Sequence, residues 1–408
     1  MPVRKKINLI GIFTIIFMHV TISIVSKENV ELGMPVQQPV LDEFIRSLKD
    51  LTNDSFAASG APGAAVAVVK NGQVVYMEGL GVKQVNTADS VDAHTAFRLA
   101  SVSKTLTGTL TGILAEEHKL SWDDPVQTYL PAFKLSNTSY TEQLKVRHLL
   151  SQSTGLIQHA FTDLIEEGKD LQEMMDALSE VKLMAEPGSL FSYQNVAFGV
   201  IEPVVQAATG QSYELLMQNK LFEPLGMRDA SMDYGTFVTR ENKALPHQYN
   251  WKGWTPVSIS STYYNVPSAG GINASITDMA NYMIALTGHR PEIIRSELLA
   301  EIFRPQIKTN IRWKYFSRWK KYKKSYYGMG WRIVENGDDC IAYHGGYVNG
   351  YRSQLAVNFH EDVAICVLTN SGSSFSSKLV PAFLDLYDAY KGRLRIEESR
   401  QIQIEPSS

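Results

Sequence analysis

The chain has 408 residues, of which 44% are apolar and 20% charged, and a formal charge of −3. That composition belongs to an ordinary globular protein of one large domain or two smaller ones, and the balance gives no reason to expect nucleic acid as a partner. Two cysteines, Cys340 and Cys366, without a Cys-x-x-Cys, imply neither a disulfide framework nor a zinc ribbon. Both lie in apolar stretches and read as buried thiols, with one structural disulfide left open.

At the start, Arg4, Lys5 and Lys6 precede an uncharged, largely apolar run from Ile7 to Ser26. This reads as a signal peptide over residues 1–26, with Ser23 and Ser26 as small residues for cleavage, or as a retained N-terminal anchor. Either way the positive-inside rule places the remainder outside the cytoplasm, in the periplasm or on the extracytoplasmic face of the membrane. Residues 27–37 read as a linker. Val40, Leu41, Phe44, Ile45, Leu48 and Leu51 recur at helical spacing. Gly63–Val69 and Gln73–Tyr76 flank Lys70-Asn71-Gly72, a hairpin pattern. Leu106, Leu110, Ile113 and Leu114 then mark one face of a helix.

Helical stretches such as Leu164–Val181 and Val196–Ala208 dominate up to about residue 262, and strands return from 263. Ile341–Tyr343 predicts a short strand. Ser353–Phe359 and Val363–Leu368 predict a second hairpin around His360-Glu361-Asp362. Leu379–Tyr390 predicts a closing helix, and residues 393–408 a polar, disordered tail. Strands at both ends with helices between them predict an α+β fold over residues 38–392. In it an antiparallel sheet built from both chain ends is flanked by helices and carries a mostly helical insertion at about 105–262.

The chemistry gathers at Ser101-Val102-Ser103-Lys104. Three residues is just under one helical turn, so Ser101 and Lys104 share a face near a helix N-terminus. A serine hydroxyl needs a nearby base to become a nucleophile, and a lysine one turn away supplies one or holds one in place. Ser179…Lys182 and Ser317…Lys320 have the same spacing, so the pair gains meaning only from its partners downstream. Those are Tyr193-Gln194-Asn195, after the Pro187-Gly188 turn, and His344-Gly345-Gly346. The paired glycines would let a ligand approach the backbone closely. Tyr263…Asn265 and Tyr347…Asn349 also fit Tyr-x-Asn. There is no Gly-x-Ser-x-Gly elbow and no metal-ligand spacing among the histidines, so neither an α/β-hydrolase nor a metallo-hydrolase is indicated.

Ser-x-x-Lys, then Tyr-x-Asn about 90 residues on, then a His/Lys-x-Gly box, resembles the penicillin-recognising serine hydrolases. These include class C β-lactamases, D-alanyl-D-alanine carboxypeptidases, D-aminopeptidases and related esterases. Leu149–Leu156, Phe222–Met227, Ala269-Gly270-Gly271 with Thr277–Ala280, and Tyr327–Trp331 match in kind. The resemblance implies that Ser101 is acylated, that Lys104 helps take its proton, and that Tyr193 is general base and proton relay. Asn195 would orient Lys104 and the substrate. The N–H groups of Ser101 and Tyr347, after Gly345 and Gly346, would hold the oxyanion. A free tyrosine titrates near ~10, so a nearby ammonium would be needed to ionise it. No cofactor or metal is implied.

Two departures stand out. His344 occupies the place that Lys takes in most β-lactamases of this type, which fits peptidases and esterases better. Arg352 is then a candidate for a substrate carboxylate. Gln152 stands where the family often has His, a change expected to affect local packing only. One further stretch has no family counterpart. Residues 308–327 hold eight Lys/Arg, seven aromatics and no acid, a composition suited to an anionic envelope surface or to a solvated insertion whose aromatics pack inward. The expectation is therefore an exported serine acyl hydrolase acting on β-lactams or D-Ala-type peptidoglycan peptides. The alternatives are an esterase on small acyl esters or a slow-turnover penicillin-binding receptor, and the oligomeric state is left open.

Overall fold

The computed structural model describes residues 38–312, 316–337 and 339–404, with side chains as far as residue 400. The expected leader (1–26) and linker (27–37), and Trp313, Lys314 and Tyr315 of the basic stretch, lie outside the described residues. Among the described residues no helix is long and apolar enough to cross a membrane.

The chain opens with helix α1 (Pro39–Ser59), which Gly60 ends in a left-handed conformation. The hairpin follows as β1 (Gly63–Lys70) and β2 (Gln73–Gly81). Strand β3 (Phe97–Arg98) then leads through a 3-10 turn (Ala100–Val102) into helix α2 (Ser103–Glu116). Short helices fill the stretch from Val126 to Thr239. Within it the expected Leu164–Val181 helix is broken at Gly168 into Thr162–Glu166 and Leu171–Ala177. A small hairpin, β4 (His247–Asn250) and β5 (Gly253–Pro256), and a two-residue β6 (Asn273–Ala274) come next. The C-terminal part supplies β7 (Ile307–Thr309), β8 (Lys324–Tyr327), β9 (Arg332–Asn336), β10 (Asp339–Val348), β11 (Tyr351–Asn358) and β12 (Val363–Thr369).

Eight strands form one antiparallel sheet in the order β2-β1-β12-β11-β10-β9-β8-β7. The two chain ends thus meet at β1–β12, with Val66 opposite Val367. Alternation along β1 sorts its residues to two cores. Ala65, Ala67 and Val69 join the large cluster that holds α2 and the helical stretch, and Ala64, Val66 and Val68 join a second cluster under the terminal helices. This is the α+β architecture expected from the strand pattern.

Two local expectations need correction. The strand read as Ile341–Tyr343 is ten residues long and carries His344-Gly345-Gly346 in its interior rather than at its end. The closing helix runs from Phe375 to Ile404, so residues 393–404 are helical and not a disordered tail. Cross-chain contacts hold it: Arg393 pairs with Glu43, Arg395 with Glu361, and Glu398 with Lys70. Of the basic stretch, Phe316, Trp319 and Tyr322 pack into the core beneath the terminal helices, and Tyr327 is buried with Phe191 and Tyr193. Its Lys321 pairs with Asp339 and Asp388. Lys308, Arg312, Arg318, Lys320, Lys323 and Lys324 point to solvent.

Candidate active site

Ser101 sits half-buried in the 3-10 turn, and that turn is fixed from three sides. Strand β3 pairs with β6, and Leu99 N–H donates to the Ile272 carbonyl at 2.9 Å. Ile272 N–H in turn donates to Ser103 Oγ at 3.1 Å. The fully buried Arg98 guanidinium donates to the carbonyls of Ser260 and Thr262, and Ser353 Oγ donates to the Leu99 carbonyl. Ala100, just before Ser101, is held at φ +47°, a left-handed conformation uncommon for a side-chain-bearing residue. Gln152, His159 and Tyr263 around the site share that strain. Such clustering marks places where surrounding contacts over-determine the backbone.

Lys104 lies on a helix buried on all sides. Leu106, Leu110 and Leu114 face one core, while the hydroxyls of Thr107, Thr109 and Thr111 bond back to carbonyls four residues earlier. The Lys104 Nζ is fully buried and donates to Asn195 Oδ1 at 2.8 Å and to the Ala269 carbonyl at 2.6 Å. It also stands 5.0 Å from the Tyr193 ring centroid and 5.2 Å from that of Phe198. Burial, and secondarily the charge of Arg332, hold this amine well below the usual lysine range.

Tyr193 and Asn195 come from the segment entering the helix Asn195–Gly199. Gln152 pins that segment: its Oε1 accepts from Gln194 N–H at 2.6 Å and its carbonyl from Ser192 N–H at 2.8 Å. His159 N–H donates to the Tyr193 carbonyl at 3.0 Å. Gln152 therefore places the tyrosine, a larger role than the local packing expected of it. Asn195 Nδ2 donates to Tyr263 OH at 3.0 Å.

His344 departs from expectation. It is fully buried, its Nδ1 lies 3.0 Å from the Gly345 carbonyl, and its Nε2 lies 2.9 Å from Tyr327 OH. A carbonyl only accepts, so Nδ1 carries the hydrogen and Nε2 accepts from the phenol. Burial first, then Arg332 and Lys104, push its pKa well below the ordinary value. The imidazole is thus neutral, bonded to Tyr327 and closed off from solvent. It does not reproduce a lysine charge.

Gly346 has a structural duty as well. A Cβ there would lie 2.3 Å from the Leu99 carbonyl oxygen and 2.9 Å from Ala100 Cβ, so the strand admits the nucleophile turn only as glycine. Gly345 is half-exposed beside it. Tyr347 is 57% exposed, and the Arg352 guanidinium lies 5.4 Å from its ring centroid. Arg352, the candidate for a substrate carboxylate, is half-exposed and stacked on that ring.

The sequence reading passed over two residues. Tyr263 was visible only as a chance Tyr-x-Asn match, yet it anchors Asn195. Arg332 is nearly buried, 5.1 Å from the Tyr193 ring centroid and 5.6 Å from that of Tyr327. Its signal was a lone charge in the apolar run Trp331-Arg332-Ile333-Val334.

Residues 41–387 match the family described as Beta-lactamase. Among curated relatives, "Protein flp" of Staphylococcus aureus (strain NCTC 8325 / PS 47) is 25% identical over 324 residues, 78% of this chain and 61% of that protein. "Unguisins hydrolase ungD'" of Aspergillus campestris (strain IBT 28561) is 23% identical over 78% of this chain and 59% of that protein. The chain therefore spans less than two thirds of the length of these relatives. Among solved structures, the octameric penicillin-binding protein homologue from Pyrococcus abyssi superposes with a TM-score of 0.71 at 23% identity, covering 84% of this chain and 76% of that one. That likeness concerns the fold.

Proposed function

Because the chain belongs to the beta-lactamase family, we propose that it is a serine acyl hydrolase that works through an acyl-enzyme on Ser101. The observation that carries this reading is the environment of Lys104. A free amine has two N–H bonds and one lone pair. The Asn195 and Ala269 oxygens accept both N–H bonds, which leaves the lone pair to take a proton. Burial favours that uncharged form.

In the proposed reaction the Ser101 Oγ proton passes to Lys104 Nζ as Oγ bonds to the substrate carbonyl carbon. The oxyanion is held by the N–H groups of Ser101 and Tyr347. Losing one such donor typically costs on the order of 100–1000-fold in rate. The tetrahedral intermediate collapses, the acyl group stays on Oγ, and the leaving group takes a proton relayed through Tyr193. Water then repeats the sequence in reverse and frees Ser101. Asn195 fixes Lys104 throughout.

The substrate class is an amide of the D-amino-acid peptide or β-lactam kind. A second reading, an esterase on small acyl esters, draws support from the neutral His344, which leaves the third box without a charge for a substrate carboxylate. Arg352, half-exposed beside Tyr347, is the group that would bind such a carboxylate. The charged and apolar run at residues 4–26 supports placing the reaction outside the cytoplasm. The six exposed cations of residues 308–324 support contact with an anionic envelope surface. Unchanged vesicle binding after their replacement by Gln would remove that contact from the reading.

Labelling with a fluorescent penicillin and timing the loss of label separates the substrate classes. Fast loss supports a β-lactamase and slow loss a peptidase or receptor. Absence of label, with hydrolysis of p-nitrophenyl acetate, supports the esterase. Ser101→Ala is expected to abolish turnover in every case, and substantial activity in that variant would end the serine-hydrolase reading.

A further inference from the structure

The residue that demands explanation is Arg332. It is 8% exposed, it comes from β9 rather than from any of the three sequence boxes, and it sits against the ring of Tyr193. Lys104 Nζ occupies the same ring's surroundings, at 5.0 Å from its centroid against 5.1 Å for the Arg332 guanidinium carbon. Two basic groups therefore share one buried aromatic. Among the described residues, the titratable groups in contact with this cluster are Tyr193 and His159 from the segments around Gln152, Tyr263 from the loop before Ala269, and Tyr327 and His344 from β8 and β10, with Glu166 and Arg98 acting on Tyr263 from farther out. None of these five contacting groups carries a negative charge in its ordinary state near neutral pH.

Desolvation allows such a pair one charge far more readily than two. A guanidinium keeps its proton under all ordinary conditions, whereas a lysine gives its proton up when buried. We propose that Arg332 is a positioning residue for acyl transfer: its fixed charge beside the Tyr193 ring holds Lys104 as the free amine that receives the Ser101 proton. The charge that related boxes place at the third motif is here supplied from the neighbouring strand, while His344 stays neutral. Burial and the Arg332 charge act on Lys104 in the same direction, and the same guanidinium disfavours a proton on His344. The positioning is electrostatic, and Arg332 need not touch the substrate.

The proposal rests on Ser101 being the nucleophile, and its test keeps the two apart. The probe is a fluorophosphonate, which reports serine activation whatever the natural substrate. Its second-order labelling rate is measured against pH for the full chain, with Ser101→Ala as control. Two charges up to about 10 Å apart at an effective dielectric of about 20 shift one another by about one pH unit. Arg332→Met is accordingly expected to move the rising limb of the profile up by about one unit, so that labelling on the acid side falls roughly tenfold, while the alkaline plateau stays within about twofold. Arg332→Lys is expected to hold the limb near its original position. Arg332→Gln, which keeps a polar head for hydrogen bonding, carries the same test if the Met variant does not fold. A limb that stays put or moves down in the neutral variants, with Ser101→Ala unlabelled, overturns the role of Arg332 and leaves the nucleophile standing. A limb that Arg332→Lys fails to restore overturns it too. Labelling that persists in Ser101→Ala instead overturns the reading on which the proposal rests.

Discussion

Lys104 Nζ lies 2.8 Å from Asn195 Oδ1, across 91 residues of chain, and both side chains are buried. The amide's other end donates to Tyr263 OH, so one side chain ties Lys104 to the segment that also supplies the Ala269 carbonyl. Asn195→Ala would strand an N–H of Lys104 and loosen its aim. A misplacement of about 1 Å at a reacting group costs on the order of 100-fold, and a stranded buried polar group costs about 1–3 kcal/mol. Fluorophosphonate labelling and urea unfolding should therefore both decline. Asn195→Asp should behave differently: a carboxylate there favours the ammonium, so labelling falls at neutral pH and recovers as pH rises. Equal loss at every pH would contradict the free-amine assignment.

Gly346→Ala tests whether the third box serves the nucleophile turn or the ligand. The added methyl would meet the Leu99 carbonyl oxygen at 2.3 Å and Ser353 Oγ at 2.5 Å. Ser353 is the residue that donates to that same carbonyl, so the clash displaces the turn holding Ser101. Overpacking of this kind costs about 1–3 kcal/mol. The expected variant is folded, has a lower unfolding midpoint, and labels at Ser101 at least tenfold more slowly, in line with the cost of misplacing a reacting group. Labelling at the wild-type rate would show that the turn tolerates the methyl group.

What could be read from the sequence divides along a physical line. Ser101, Lys104, Tyr193 and Asn195 stood out because the order of their short motifs carries the family resemblance, and the structure brings Lys104, Tyr193 and Asn195 together. The shared sheet was legible from the period of its strands. The length of β10 was not: Gly345 and Gly346 interrupt its apolar run, and their reason lies in the turn packed against them. Residues 393–404 were misread because their polar character speaks for solvent, whereas Glu43, Lys70 and Glu361, far away in sequence or on another element, keep them helical. Gln152, Tyr263 and Arg332 act through tertiary contacts alone, and no local spacing encodes those.

His148 should give the fold a measurable acid sensitivity. Its Nδ1 accepts from Lys145 N–H at 3.2 Å, which caps the helix Val146–Leu150 just ahead of Gln152. Burial, then Lys145 and Arg147, push its pKa down to about 4. The unfolded chain takes a proton near ~6.5 that the folded chain refuses. The resulting stability is present above about 6.5 and is lost progressively as pH falls toward about 4. Unfolding midpoints measured between pH 7.5 and 4.5 should drop for the wild type and drop less steeply for His148→Asn. Parallel curves for the two proteins would show that this imidazole titrates normally.

The N-terminus of α1 is capped from the far end of the chain. Gln38 contributes no side-chain cap, and Pro39 removes one N–H, but Val40 and Leu41 N–H both donate to the Glu397 carboxylate, at 3.0 and 3.1 Å. A carboxylate there satisfies orphan donors and complements the helix dipole. Loss of a cap typically costs about 0.5–2 kcal/mol. Glu397→Ala should lower unfolding stability by about 1 kcal/mol, and Glu397→Gln, which keeps an acceptor but no charge, by less. Because α1 and the C-terminal helix cover only the sheet face away from Ser101, Ser101 labelling at 25 °C should be unchanged in both variants. Truncation after Tyr390 removes Glu397 together with Arg393, Arg395 and Glu398 and should destabilise more than Glu397→Ala. A truncated protein as stable as the full chain would mean that residues 393–404 lie on the surface without holding it.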